Sequence, residues 1–215
     1  MMKRITFCAL LMTLFLLMSC NNSGTSPKDG QAAKADGTIL DLDTITKNIT
    51  EAVAFAKDVK EVHTLVKSID ELAKAIGKKI DANGLAADAN HNGSLIAGAY
   101  SIVLAVSTKL EELEKQDGVF AELKTKVTSA KTASKKFLDK LKEKKDDLGK
   151  NDASDDDTKK AIDRTSQPNG DKGAEELGKL NTAVDALLTA AEAAVESAIK
   201  ELTTSVKSAS SAQSN

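Results

Sequence analysis

The sequence predicts an all-α fold: an antiparallel bundle of four long helices plus a short helix, carried on a flexible N-terminal tether. Three observations lead there. Of 215 residues only 3% are aromatic and only two are proline, while Ala, Leu, Lys, Glu and Asp dominate, a composition that favours helix over sheet. Four separate stretches place apolar residues at every third or fourth position, the spacing of one helix face. Residues 20–37 are small, polar or alanine, with too little apolar surface to bury.

The first segment reads as an address. Lys3 and Arg4 precede an apolar run from Ile5 to Met18, and Leu17-Met18-Ser19-Cys20 is followed at once by Asn21-Asn22-Ser23-Gly24. The run is shorter than the roughly 20 residues a spanning helix needs, so residues 1–19 read as a removable lipoprotein signal peptide. A small residue before the cysteine admits a signal peptidase, and the Cys20 thiol can carry a diacylglyceryl thioether. Cys20 is the expected lipid attachment. One acyl chain binds reversibly at about 0.8 kcal/mol per buried methylene, whereas the two or three on a lipidated cysteine anchor the protein stably. No later stretch reads as a second span, so the remainder is expected on one side of the membrane. The tether, residues 20–37, lifts the domain on the order of 20 Å.

The helical-bundle domain is expected over residues 38–206. Asp41 to Asp43 supplies caps and favourable charge for a helix starting near Thr44. Its seam runs Ile45, Asn48, Ala52, Phe55, Val59, Val62, Val66, Ile69, Ala73, Ile76 and Ile80, polar only at Asn48. Leu65 and Leu72 widen the apolar face beyond that seam and point to a second contact surface. Asn83-Gly84 and Asn92-Gly93 mark a loop from Asp81 to Asn92. The second helix follows from Ser94 with Leu95, Ala99, Ile102, Val106, Leu110 and Leu113 on one face. A short turn at Gln116-Asp117-Gly118 leads to the third, marked by Phe120, Leu123, Val127, Ala130, Phe137 and Leu141. Lys150 to Lys172 is polar, holds Pro168-Asn169-Gly170, and allows at most a short helix around Thr158 to Arg164. The last helix begins near Gly173 with Leu177, Leu180, Val184, Leu187, Ala191, Ala194 and Ala198, and residues 207–215 form a disordered Ser-rich tail. Up-down-up-down packing sends the first helix away from the anchor. Asp81–Asn92 and Lys150–Lys172 then sit together at the membrane-distal tip, contribute little to the core and are free to vary.

Charge and motif content exclude much chemistry. Removing the signal leaves 28 basic against 32 acidic residues, a net charge of −4, so a general nucleic-acid binder is not expected. Cys8 leaves with the signal and Cys20 takes lipid, so no disulfide is expected. The helical neighbours of His63 are Val59, Lys60, Val66 and Lys67, which offer no second metal ligand, and His91 sits in a loop. The acidic run Asp152, Asp155, Asp156 and Asp157 lacks the glycine and glutamate of a calcium-binding EF-hand loop. No phosphate loop, metalloprotease helix or nucleophile elbow appears. The expectation is a protein without catalytic residues, cofactor or metal. Lys124, Lys131, Lys135 and Lys142, at spacings of 7, 4 and 7, fall on one stripe of the third helix. That stripe could meet sulfated glycans or another anionic host surface, although a lysine face on an amphipathic helix is usually only solvated.

Several stretches carry a family resemblance: Leu11 to Gly24, Ala75 to Ile80 (AIGKKI), Asn92 to Tyr100 (NGSLIAGAY), Lys172 to Leu180 (KGAEELGKL) and Lys200 to Thr203 (KELT). The chain resembles the borrelial surface lipoproteins that include outer surface protein C and the variable small proteins. Val59 to Ser68 (VKEVHTLVKS) is closer to the variable small proteins, and Ala133 stands where many members of the other branch carry cysteine. The tail also lacks that branch's proline-rich ending. The resemblance implies a helical, commonly dimeric lipoprotein on the extracellular face of the outer membrane, engaged in antigenic variation and contact with antibodies and host components. The competing reading is a periplasmic helical lipoprotein acting as an envelope spacer or assembly factor.

Overall fold

The computed structural model describes residues 31–33, 39–116 and 121–210, which contain six helices and two short β-ribbons. The helices are α1 (Leu42–Ala73), α2 (Gly93–Lys115), α3 (Ala121–Glu143), α4 (Lys145–Leu148), α5 (Asp155–Ile162) and α6 (Ala174–Ser210). The ribbons are β1 (Gln31–Ala33) with β2 (Ile39–Asp41), and β3 (Lys78–Asp81) with β4 (Gly84–Ala87), both antiparallel. Cys20, the signal segment, the turn at Asp117, Phe120 and residues 211–215 lie outside the described residues.

The four long helices close a ring in which α1 and α3 each pack against α2 and α6. Cross-helix contacts fix the directions. Asp58 of α1 meets Gln116 just past α2, and Leu72 near the other end of α1 faces Gly98 near the start of α2. Val59, Val62, Val66 and Ile69 of α1 are fully buried in one core cluster with Val103, Val106 and Leu110 of α2, Val127 and Phe137 of α3, and Leu177, Leu180 and Leu187 of α6. Each such side chain contributes about 2 kcal/mol of transfer free energy. The start of α1 is capped as its sequence requires, with the Asp41 carboxylate accepting from the backbone N–H groups of Asp43 and Thr44 at 3.1 Å. Asn48 is half-buried on that helix.

The structure departs from the sequence reading at several places. The first helix stops at Ala73, because Gly77 adopts a left-handed φ of 69° that ends the helical path. Ile76 still reaches the core, but Ile80 is 84% exposed and belongs to β3. The segment read as a loop from Asp81 is largely a hairpin. Ala82-Asn83 forms its two-residue turn and Asn83 donates its N–H to the Asp81 carboxylate at 2.7 Å. On α2 the buried line is Ile96, Ala99, Val103, Val106, Leu110 and Leu113, while Leu95 and Ile102 flank it half-buried. That helix carries no charge from Gly93 to Thr108 and is long and apolar enough by composition to cross a membrane. It is nevertheless a bundle member packed on α1 and α3. Its uncharged first half, apolar on several faces, is why periodicity alone chose Leu95 and Ile102 in place of Ile96 and Val103, while Ala99, Val106, Leu110 and Leu113 are buried as read.

The polar stretch from Lys150 to Lys172 is the largest revision. Ala153, Thr158, Ala161 and Ile162 are buried, and Ala161 and Ile162 have no exposed surface at all. Helix α5, capped by the Ser154 hydroxyl accepting from Asp157 N at 3.0 Å, closes the end of the core where α1 finishes and α2 begins. At the other end, ordered pairing begins with β1 inside the stretch assigned to the tether, and α6 runs four residues past Val206.

These placements give opposite expectations for two loop substitutions. Ile162→Ala should cost about 3 kcal/mol by loss of transfer energy and cavity formation. Leu85→Ala, on an exposed hairpin strand, should stay within about 0.5 kcal/mol. Urea unfolding followed by helicity checks this; equal small effects would show that α5 is not part of the core.

Candidate functional site at the loop end of the bundle

Sequence elements from four parts of the chain meet at the loop end of the bundle, and the side chain of Asn92 joins three of them. Only 3% of this residue is exposed. Its amide oxygen accepts the Gly77 N–H at 2.9 Å, and its amide nitrogen donates to the Ala153 carbonyl at 3.0 Å and to Asp155 Oδ1 at 2.8 Å. Burial without these bonds would cost a few kcal/mol, so the side chain is held by its partners. Asn90, at a left-handed φ of 61° that asparagine tolerates, exchanges two bonds with Asp155: its N–H donates to Oδ1 at 2.9 Å, and its side-chain oxygen accepts the Asp155 N–H at 3.0 Å. Glycine is obligatory at residue 93, since a Cβ there would lie 2.1 Å from the Lys150 carbonyl oxygen.

A second node surrounds Lys172, which pairs with Asp147 and, at 3.2 Å, with Asp157. The Asp147 carboxylate, followed by that of Asp157, raises the affinity of Lys172 for its proton. Arg164 joins Asp70, fastening the segment after α5 to the end of α1. Three of the four carboxylates of the acidic run are therefore consumed internally: Asp155 by Asn90 and Asn92, Asp156 by Lys160, and Asp157 by Ser154 and Lys172. Among the described residues no group of three or more His, Cys, Asp or Glu is placed to hold a metal ion. Beside this fastened cap the β3–β4 hairpin stands free, with cross-strand neighbours Ile80 and Leu85 exposed at 84% and 67%.

The lysine stripe lies on α3 as its spacing requires, but its members differ. Lys131 is paired with Glu114 of α2 at 2.8 Å, and each holds the other in its charged form, Glu114 below and Lys131 above the ordinary range. Lys135 pairs with Asp139 at 2.6 Å. Lys142 lies over the Tyr100 ring, 5.8 Å from its centroid, and Lys124 is exposed one turn into the helix. His63 faces α6, with Nε2 2.9 Å from Asp185 Oδ1, and Lys67 and Asn181 converge on the same carboxylate. His91 is near Asp88 at 3.5 Å. The sequence reading missed Glu114 and Asp185 because they approach from other helices. A partner 122 positions away leaves no local trace.

The lipoprotein family Lipoprotein_6 matches residues 39–208, which span the bundle from β2 almost to the end of α6. The chain belongs to that family. It is 49% identical to Variable small protein 11 of Borrelia hermsii, over 97% of this chain and 100% of that one. It is also 49% identical to Outer surface protein C of Borreliella burgdorferi, over 95% and 96% of the two chains. Among solved structures, Variable Small Protein 1 of Borrelia turicatae superposes with a TM-score of 0.72 at 65% identity, covering 75% of this chain and 99% of that one. The resemblance read from the sequence, including its lean toward variable small proteins, agrees with these similarities.

The cap of this family member should respond to pH through Asp155. The Asn90 N–H, then the Asn92 amide, hold its carboxyl below the usual carboxylate range. With the folded pKa below the unfolded one, this contribution is complete above the unfolded value and is lost as pH falls through the folded value. Asp155→Ala should therefore lower stability by about 2 kcal/mol at neutral pH. The gap from the parent should narrow in strong acid, measured by urea unfolding at both pH values. A gap independent of pH would contradict the role given to the charged carboxylate.

Proposed function

We propose that this chain is a lipid-anchored protein of the bacterial outer surface, displayed with its loop end outward as a variable antigen that contacts host components without catalysis. The observation that carries this is the polarity of the bundle. The signal and Cys20 precede the end of the molecule where α1 begins and α6 finishes, while the cap and the hairpin lie at the opposite end. The names of its relatives, Outer surface protein C and the variable small proteins, support the location and the variability. Within the tip, change is cheapest on the β3–β4 hairpin, whose side chains are nearly all exposed. The cap is held by buried residues and shared hydrogen bonds. Contact with an anionic host polymer rests on Lys124 and Lys142, since Lys131 and Lys135 already have acidic partners.

Homodimerisation belongs to the same proposal, through α1. Leu65 and Leu72 are half-buried against the chain's own core, so their outer surfaces are what a second copy would cover. Light scattering of fully helical protein at micromolar concentration should give twice the monomer mass; a monomer mass would contradict this part.

On intact cells, added protease should clip the anchored protein, and Cys20→Ala should move it out of the membrane fraction. Complete protection from protease on intact cells, with clipping only after lysis, would favour the periplasmic spacer instead. Retention of the Cys20→Ala form in membranes would remove the anchor from the account.

A further inference from the structure

We propose that the groove between α2 and the α3–α4 junction is a binding site for a small amphipathic organic anion, an alkyl or aryl body carrying one carboxylate or sulfonate. The groove has a volume of about 360 Å³, at the lower end for small-molecule sites and too small for a helix roughly 10 Å across. Its floor is apolar and buried, built from Ile96, Leu141 and Leu148. Tyr100 supplies a half-buried aromatic wall, and Lys142 and Lys145 supply two cations on one rim.

Among the described residues no carboxylate lines the groove. Lys142 is exposed and held over the Tyr100 ring, and its ammonium makes no ion pair among the described residues. Among the described residues Lys145 is paired only with the adjoining Asp146, both side chains well exposed at 71% and 89%. Such exposed pairs exchange readily for another anion. An apolar floor beneath two ammonium groups matches a ligand that is apolar along its body and anionic at one end. A cation is repelled, and a neutral ligand gains only the floor. The site uses Lys142, which sequence spacing placed on the stripe of α3, but the rest of it comes from α2 and α4. The inference depends on the groove alone and stands whether or not the protein is displayed on the cell surface.

The test titrates anilinonaphthalene sulfonate into the full chain and follows its fluorescence, with uncharged N-phenylnaphthylamine as a probe of similar apolar body. The expected result is saturable one-to-one sulfonate binding that octanoate displaces. Combined Lys142→Gln and Lys145→Gln should weaken the sulfonate about tenfold while leaving the neutral probe, helicity and melting unchanged. Ala97→Phe, at an exposed position on the groove wall, should block both probes. Ile80→Ser with Leu85→Ser should affect neither, because the exposed hairpin is not the site. Sulfonate binding untouched by the lysine changes, lost in the hairpin variant, or absent from the parent chain would overturn the proposal.

Discussion

The loop end of this molecule depends on one buried amide. Asn92 bonds the turn after α1, the carbonyl of Ala153 and the carboxylate of Asp155, so it sets where the turn at Gly77 and the segment from Ala153 to Asp155 lie relative to the start of α2. Two further features make that arrangement exclusive. Gly93 admits the Lys150 carbonyl to a distance no other residue allows, and the Asn90–Asp155 pair closes a ring of hydrogen bonds beside it. Once these are fixed, α5 is delivered over the open end of the core, where Ala161 and Ile162 are sealed from solvent.

This gives the tip two physical characters. The cap, from Asn92 and from Lys144 to Gly173, belongs to the folded core and carries its buried contacts. The hairpin from Lys78 to Ala87 has its own backbone ladder, exposes most of its side chains, and makes few demands on the rest. A surface antigen needs both: a scaffold that tolerates no change at some positions and a displayed element that tolerates much. The charges show a similar division. Most acidic residues of the cap are spent on neighbours, and half of the lysine stripe is neutralised across α2 or along α3.

The sequence made the bundle legible because amphipathic periodicity is a local property. Phe55, Val59, Val62, Val66 and Ile69, or Leu177, Leu180, Val184 and Leu187, announce their shared face without reference to any other helix. Periodicity was less informative on α2, where apolar residues occur all round and Ile96 and Leu95 read alike. It failed for the cap. Ala153, Thr158 and Ala161 are small or polar, and their burial is decided by the Asn92 and Gly93 contacts made some sixty positions earlier. The Asn83-Gly84 signal was present in the sequence and marks the hairpin's turn, but Ile80 sits in phase with the helical seam and masked the strand. The ion partners of Lys131 and His63 could not be read locally, because both come from other helices.

Amide hydrogen exchange, read segment by segment on the folded protein, tests the division of the tip most directly. A fastened cap opens only with the core, whereas a ribbon with two free edges opens by itself. Amides of Ile96, Thr158 and Asp163, which donate to carbonyls at the cap's helix ends, should exchange as slowly as those in the middle of α1 and α6. Amides within Lys78–Ala87 should exchange far faster. Cap amides that exchange at the hairpin's rate would contradict the account, because the segment from Lys150 to Lys172 would then be a loose loop and not the lid of the core.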